Sequence, residues 1–184
     1  MEIWKEQVDN VIYHEVGHWV AAKILNFEVG GIYLKWGCGE KGYYLPNAMT
    51  NTIYKPSLRG MDEIVDYLKK RSIVAAAGLV CQCAILSTEP RKALEMYSTE
   101  DFAKIREFSI IIQGINNPEG LSDEELEQAP LDYQSWCMTE AQKIIASSMK
   151  KIEHISKSIL KESPPNIPEI ALTPEQLTKW FDFN

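Results

Sequence analysis

Hydrophobic positions recur at helical spacing along most of this chain and at strand-like spacing in one stretch near its start. Val8, Val11, Ile12, Trp19, Val20 and Ile24 follow a helical period. They predict a first helix from about Lys5 to Leu25, with Asn26 as its stop. Val29–Trp36 and Gly42–Leu45 are rich in aromatic and branched residues and flank the Gly39-Glu40-Lys41-Gly42 turn, the pattern of a β-hairpin. Pro46 cannot donate to a ladder, so it predicts the end of the second strand, with residues 47–56 an irregular loop. The helical pattern then returns in two parts. Ser57–Lys69 carries Ile64, Val65 and Leu68 on one face, whereas Ser72–Leu86 is apolar nearly all round and predicts a central core helix. Thr88–Tyr97 is short and polar. Ser98 or Thr99 caps a helix through Phe102, Ile105 and Phe108 to about Gln113. Residues 114–135, acidic and holding two prolines, read as a loop or a short exposed helix. A long helix from about Tyr133 to Leu160 has Ile144, Ile145, Met149, Ile152, Ile155 and Ile159 as its stripe. Ser163-Pro164-Pro165-Asn166-Ile167-Pro168 breaks it, and Thr173-Pro174-Glu175-Gln176 opens a short closing helix with proline at the favoured first position.

The fold class predicted is mainly α with one small β-hairpin or sheet. A chain of 184 residues suits one domain, divided into a first half (1–113), an acidic loop (114–135) and C-terminal helices (136–184). Composition narrows the function. Aromatic residues make up 10% and charged residues 24%, which excludes disorder as the main state. A net charge of −7 repels phosphate backbones and argues against nucleic-acid partners. The longest apolar run, Ile73–Leu86, spans 14 residues and is interrupted by Gln82. A membrane helix needs about 20, so no membrane span is expected. The opening residues carry no basic segment followed by an apolar one, so no signal peptide is expected. Cys38, Cys81, Cys83 and Cys137 show no CxxC spacing and fit reduced thiols in the cytoplasm.

The chemistry concentrates in His14-Glu15-Val16-Gly17-His18, an HExxH string inside the first predicted helix. Residues four apart share a helical face, so both imidazoles can address one metal ion. Glu15 can then act as general base on water without ligating the ion. Catalytic zinc keeps three protein ligands and one open position. His154 and the carboxylates of Glu63, Glu89, Glu95, Glu100 and Asp101 compete for the third place. Asp101, in Ser98-Thr99-Glu100-Asp101-Phe102, is favoured, and the same residue would equally complete a capping box with Ser98. His154 lies among Lys150, Lys151 and Lys157 and reads as a solvated surface histidine.

These segments resemble, in order, the peptidase domain of the FtsH-type (M41) zinc metallopeptidases. Tyr13-His14-Glu15-Val16-Gly17-His18 resembles the family's HEAGH helix. Ile32–Gly37 followed by Gly42–Pro46 is similar to its strand, turn and strand. Ala75-Ala76-Ala77-Gly78 is similar to its glycine-rich buried helix. Ser98–Ile105 resembles the segment whose aspartate is the third zinc ligand, which carries that role onto Asp101. The Ala141–Leu160 and Leu172–Leu177 patterns are similar to its closing helices. The resemblance implies a zincin-like helical peptidase domain in which His14, His18 and Asp101 hold Zn²⁺ and Glu15 is catalytic. Only 13 residues precede His14, so the family's ATPase motor and anchor are expected to be missing. Substrates would then be unstructured polypeptides, or chains delivered by a protein partner, cut without ATP. Ile32–Trp36 would bind them as an added edge strand, or serve as a plain structural hairpin. Where the family has Arg and a Glu-Glu pair, this chain has Leu79, Gln82 and Cys83. Gln82 can accept a hydrogen bond from a ligand imidazole but lacks the charge that raises ligand basicity. The alternative function is a catalytically weak, peptidase-like module that binds a regulatory partner. A repressor-cleaving peptidase of the ImmA type shares HExxH but does not account for the Gly78 and Asp101 segments.

Overall fold

A computed structural model describes residues 2–38, 44–162 and 169–183. The elements are, in order, α1 (Glu2–Ile24), β1 (Glu28–Cys38), β2 (Tyr44–Ile53), α2 (Met61–Leu86), α3 (Pro90–Tyr97), α4 (Thr99–Asn116), α5 (Asp123–Glu162), β3 (Glu169–Leu172) and α6 (Pro174–Phe181). The molecule is mainly helical with one small antiparallel sheet of strand order β2-β1-β3. The Gly39–Gly42 turn and the Ser163–Pro168 break lie outside the described residues.

At the centre is α1, every residue of which is buried from Asn10 to Ala22. It packs against α2, α5 and β2, and Asn26 ends it in the left-handed conformation (φ 61°) that asparagine tolerates. Trp19 is fully buried; its indole N–H donates to the Gly30 carbonyl at 2.9 Å and seats β1 on the helix. The crossing with α2 is close because both helices present small residues. A Cβ on Gly17 would lie 2.6 Å from the Ala77 carbonyl oxygen and 2.7 Å from Cys81 Cβ.

The two helices expected across 57–86 are one. α2 starts at Met61, with Gly60 at its N-cap, and runs unbroken through Lys69-Lys70-Arg71. Those three cations find partners along the helix: Lys69 sits over Trp136, Lys70 pairs with Asp66 at 2.7 Å, and Arg71 lies over Tyr54. The second strand also outruns its expected end. β2 continues through Pro46, opposite Trp36, to Ile53, opposite Glu28. Proline is tolerated there because β2 is an edge strand. β3 was not expected; its pairing with β1 (Ile32 opposite Leu172, Lys35 opposite Glu169) makes Ile32–Trp36 a central strand. It has no open edge for a substrate, which corrects the first of the two roles expected of it and leaves the structural one.

The long helix begins ten residues before Tyr133, at Asp123, so only residues 117–122 of the acidic segment are non-helical. Ser122 and Glu125 form a reciprocal cap: the Glu125 amide donates to Ser122 Oγ at 3.3 Å and the Ser122 amide to Glu125 Oε2 at 2.9 Å. Asp123, Glu124 and Glu125 then suit the positive end of the helix dipole. Ile145, Ile152, Ile155 and Ile159 of the predicted stripe are fully buried. α6 opens with the expected capping box of Thr173 and Gln176, with Pro174 at its start.

Candidate metal centre

His14 and His18 lie one turn apart on α1, facing α2. Each imidazole is held by a hydrogen bond from its Nδ1. In His14, Nδ1 donates to Gln82 Oε1 at 3.1 Å, and the amide of Gln82 is fixed in turn because its Nε2 donates to the Asn10 carbonyl at 3.0 Å. In His18, Nδ1 donates to the Val74 carbonyl at 2.7 Å. Both rings therefore direct Nε2, with its lone pair, toward the same point, and the two Nε2 atoms are 2.9 Å apart. Gly78 makes room for them: a Cβ there would lie 2.6 Å from His18 Nε2 and 2.7 Å from His14 Cε1.

Asp101 closes the triangle from the first turn of α4. Its Oδ2 is 3.3 Å from His14 Nε2 and 3.2 Å from His18 Nε2, while Oδ1 accepts from Lys104 Nζ at 3.4 Å. The capping-box role open to Asp101 is not taken, since Ser98 makes no side-chain cap bond. His14, His18 and Asp101 each offer one ligand atom, all within 4.8 Å of one another. Three lone-pair donors this close repel unless a cation joins them. Burial by itself pushes the His18 imidazole down, but the Asp101 charge and hydrogen bond, the Glu15 charge and the Val74 carbonyl carry it up to about 9. For Asp101 burial acts upward, and the His18 charge, with both imidazoles close beside the carboxylate, holds its carboxyl well below the usual carboxylate range.

The centre forms the floor of a cleft of about 530 Å³, walled by Ala48–Thr52 of β2, by Arg71, Val74 and Ala75 of α2, and by Thr99–Phe108 side chains of α4. Glu15 lines the same cleft and is 8% exposed; its carbonyl accepts from Thr50 Oγ1 at 2.8 Å, tying α1 to β2. The rival ligands are elsewhere. His154 stacks on Phe183 with ring centroids 5.1 Å apart, Glu63 accepts from the Arg59 amide, and Glu95 pairs with Arg91. Glu100 lines the cleft and is exposed, outside the ligand cluster. Sequence reasoning missed Thr50, Arg71 and Lys104 as cleft residues. The periodicity of α2 carried a signal for Arg71, since positions 71, 75, 78 and 82 share one helical face.

Compared with known proteins, the chain matches no protein-family model and no curated protein sequence.

Proposed function

We propose that this chain is a zinc-dependent metallopeptidase, of the kind its HExxH helix resembles, hydrolysing peptide bonds in unstructured or partner-delivered polypeptides. The observation that carries this reading is the convergence of His14 Nε2, His18 Nε2 and Asp101 Oδ2 beside Glu15 on the floor of one cleft. Two imidazole nitrogens and a carboxylate suit zinc, and three protein donors leave the open position of a catalytic rather than a structural site. Zinc held by His14, His18 and Asp101 would supply Lewis acidity toward water and a scissile carbonyl. Glu15 takes a proton from the attacking water and passes it to the leaving amine. Gln82 and Val74 hold the two imidazoles in the tautomer that leaves Nε2 free. Lys104 partly balances the Asp101 charge. β2, whose outer edge is unpaired among the described residues, offers main-chain groups to an extended chain in place of β1.

Metal analysis of the purified protein beside Asp101→Ala, together with digestion of casein by wild type and Glu15→Gln, tests the reading. The expected result is one zinc per chain, lost in Asp101→Ala, with cleavage lost by about a hundredfold or more in Glu15→Gln. Bound iron in place of zinc, or unchanged cleavage by Glu15→Gln, overturns it. A second reading, a metal-holding module that binds a partner with little turnover, is favoured by one observation: the group on His14 Nδ1 is the neutral amide of Gln82. Zinc bound without cleavage supports that reading. Cys81, Cys83 and Cys137 are free thiols, which supports a reducing, cytoplasmic setting. Among the described residues no helix is long and apolar enough to cross a membrane.

A further inference from the structure

Among the described residues, Arg71 is the one cation lining the cleft that the site above does not use, since Lys104 pairs with Asp101. We infer that Arg71 recognises a substrate carboxylate close to the scissile bond, making this cleft selective for acidic or chain-terminal positions. The inference rests on the peptidase reading and names its substrate class.

Position comes first. Arg71 shares a face of α2 with Val74, which holds His18, and with Gly78, which lies against both imidazoles. Seven residues of helix rise about 10 Å, or roughly three residues of extended peptide, before the reach of either side chain is counted. A carboxylate within about two residues of the cleaved bond therefore meets Arg71.

The guanidinium is also pre-set. Its central carbon lies 4.1 Å from the Tyr54 ring centroid and 4.8 Å from that of Phe108, and both rings line the cleft. Contact with two aromatic rings limits the rotation of the planar group, and an arginine held this way can take a carboxylate through its free N–H groups.

The third point is what Arg71 lacks. The chain has 26 acidic residues, yet among the described residues none comes within ion-pair distance of this guanidinium. Its Nε is buried with no hydrogen-bond partner. The other cation of the cleft, Lys104, is engaged by Asp101, and neighbouring Lys70 by Asp66. The rest of the guanidinium is half-buried at the cleft wall with no carboxylate partner among the described residues, so it is uncommitted toward a carboxylate arriving in the cleft.

The test uses binding, so it does not depend on turnover. Zinc-loaded Glu15→Gln protein is titrated with peptide pairs that differ only by Glu against Gln beside the cleavage position, and with pairs that differ only by a free or an amidated C-terminus. The acidic member of at least one pair is expected to bind about tenfold tighter or more. Whichever pair shows the ratio identifies the source as a side chain or a chain end. Adding Arg71→Gln should bring that ratio to within about twofold, and Arg71→Lys should leave an intermediate value. A ratio near one in the Glu15→Gln protein overturns the inference without need of any Arg71 variant, and so does a ratio that survives Arg71→Gln in protein that melts normally and keeps its zinc. Cleavage by the wild-type chain without acid selectivity would sink this inference alone. Selectivity in binding without cleavage would sink the peptidase reading alone.

Discussion

Gly78 and Gln82 govern the imidazoles from opposite directions, one by leaving space and the other by filling it. Gly78→Ala places a methyl group against His18 Nε2 and His14 Cε1, which must move aside. The helix itself accepts alanine readily, so zinc content should fall by about tenfold or more with the circular dichroism unchanged. Gln82→Ala removes the acceptor from His14 Nδ1; competition with a chelating dye should show zinc affinity weakened by about 10- to 100-fold. A third expectation concerns protons. In the metal-free fold the His18 pKa is raised from 6.5 to about 9. Its proton therefore contributes stability in full below pH 6.5, and that contribution is lost as pH rises through 9. On the proposed reading zinc would take the proton's place, so the fall in melting temperature caused by a chelator should be larger at pH 9.5 than at pH 6. This much of the candidate site was legible in the sequence because HExxH is local, with two imidazoles set on one face by one turn of helix. Asp101 is favoured in the sequence through the family resemblance, whereas spacing alone leaves it even with a role in capping α4; the fold brings it to the two imidazoles. Arg71 stayed hidden for a related reason: it stands in a run of three cations, and only packing shows that its neighbours are occupied elsewhere.

Among the elements, the helices were read well where one apolar face met one cap, as in α6. The misreadings share a cause, which is that tertiary partners overrode local signals. Lys69-Lys70-Arg71 resembles a break in a helical pattern, but Trp136, Asp66 and Tyr54 receive those side chains and α2 continues. Ser122-Asp123-Glu124-Glu125 has the spacing of a capping box, and its charge density drew the reading toward a loop. β3 is only four residues long, too short for an alternating pattern to declare itself, and it exists because β1 offers it a ladder. That docking depends on Gly31, where a Cβ would run into the Leu172 carbonyl oxygen. Gly31→Ala should cost about 1–3 kcal/mol in denaturant unfolding. Amide exchange should quicken in β3 and α6 while the α1–α2 pair stays protected.

Across the whole molecule, the site joins segments that are distant in the chain and that the core also packs together through Ile105, Phe108 and Ile112 of α4. His14 and His18 belong to the central helix, and Asp101 arrives on α4 some eighty positions later. Closing so long a loop with one ion restrains the chain well beyond the ligands. Chelation should therefore raise amide exchange in α4 and spare α1, a difference that hydrogen-exchange mass spectrometry reads directly. The three-stranded sheet has a consequence of its own. β3 and α6 act as a latch, with Leu172 and Leu177 buried and Phe181 set edge-on against Trp19 at 5.8 Å. A protease nick ahead of Glu169 would strip that latch, bare a row of unsatisfied amides along β1, and leave a ribbon inviting other chains to stack upon it. Trimming there should make the protein more prone to precipitate, even with His14, His18 and Asp101 untouched.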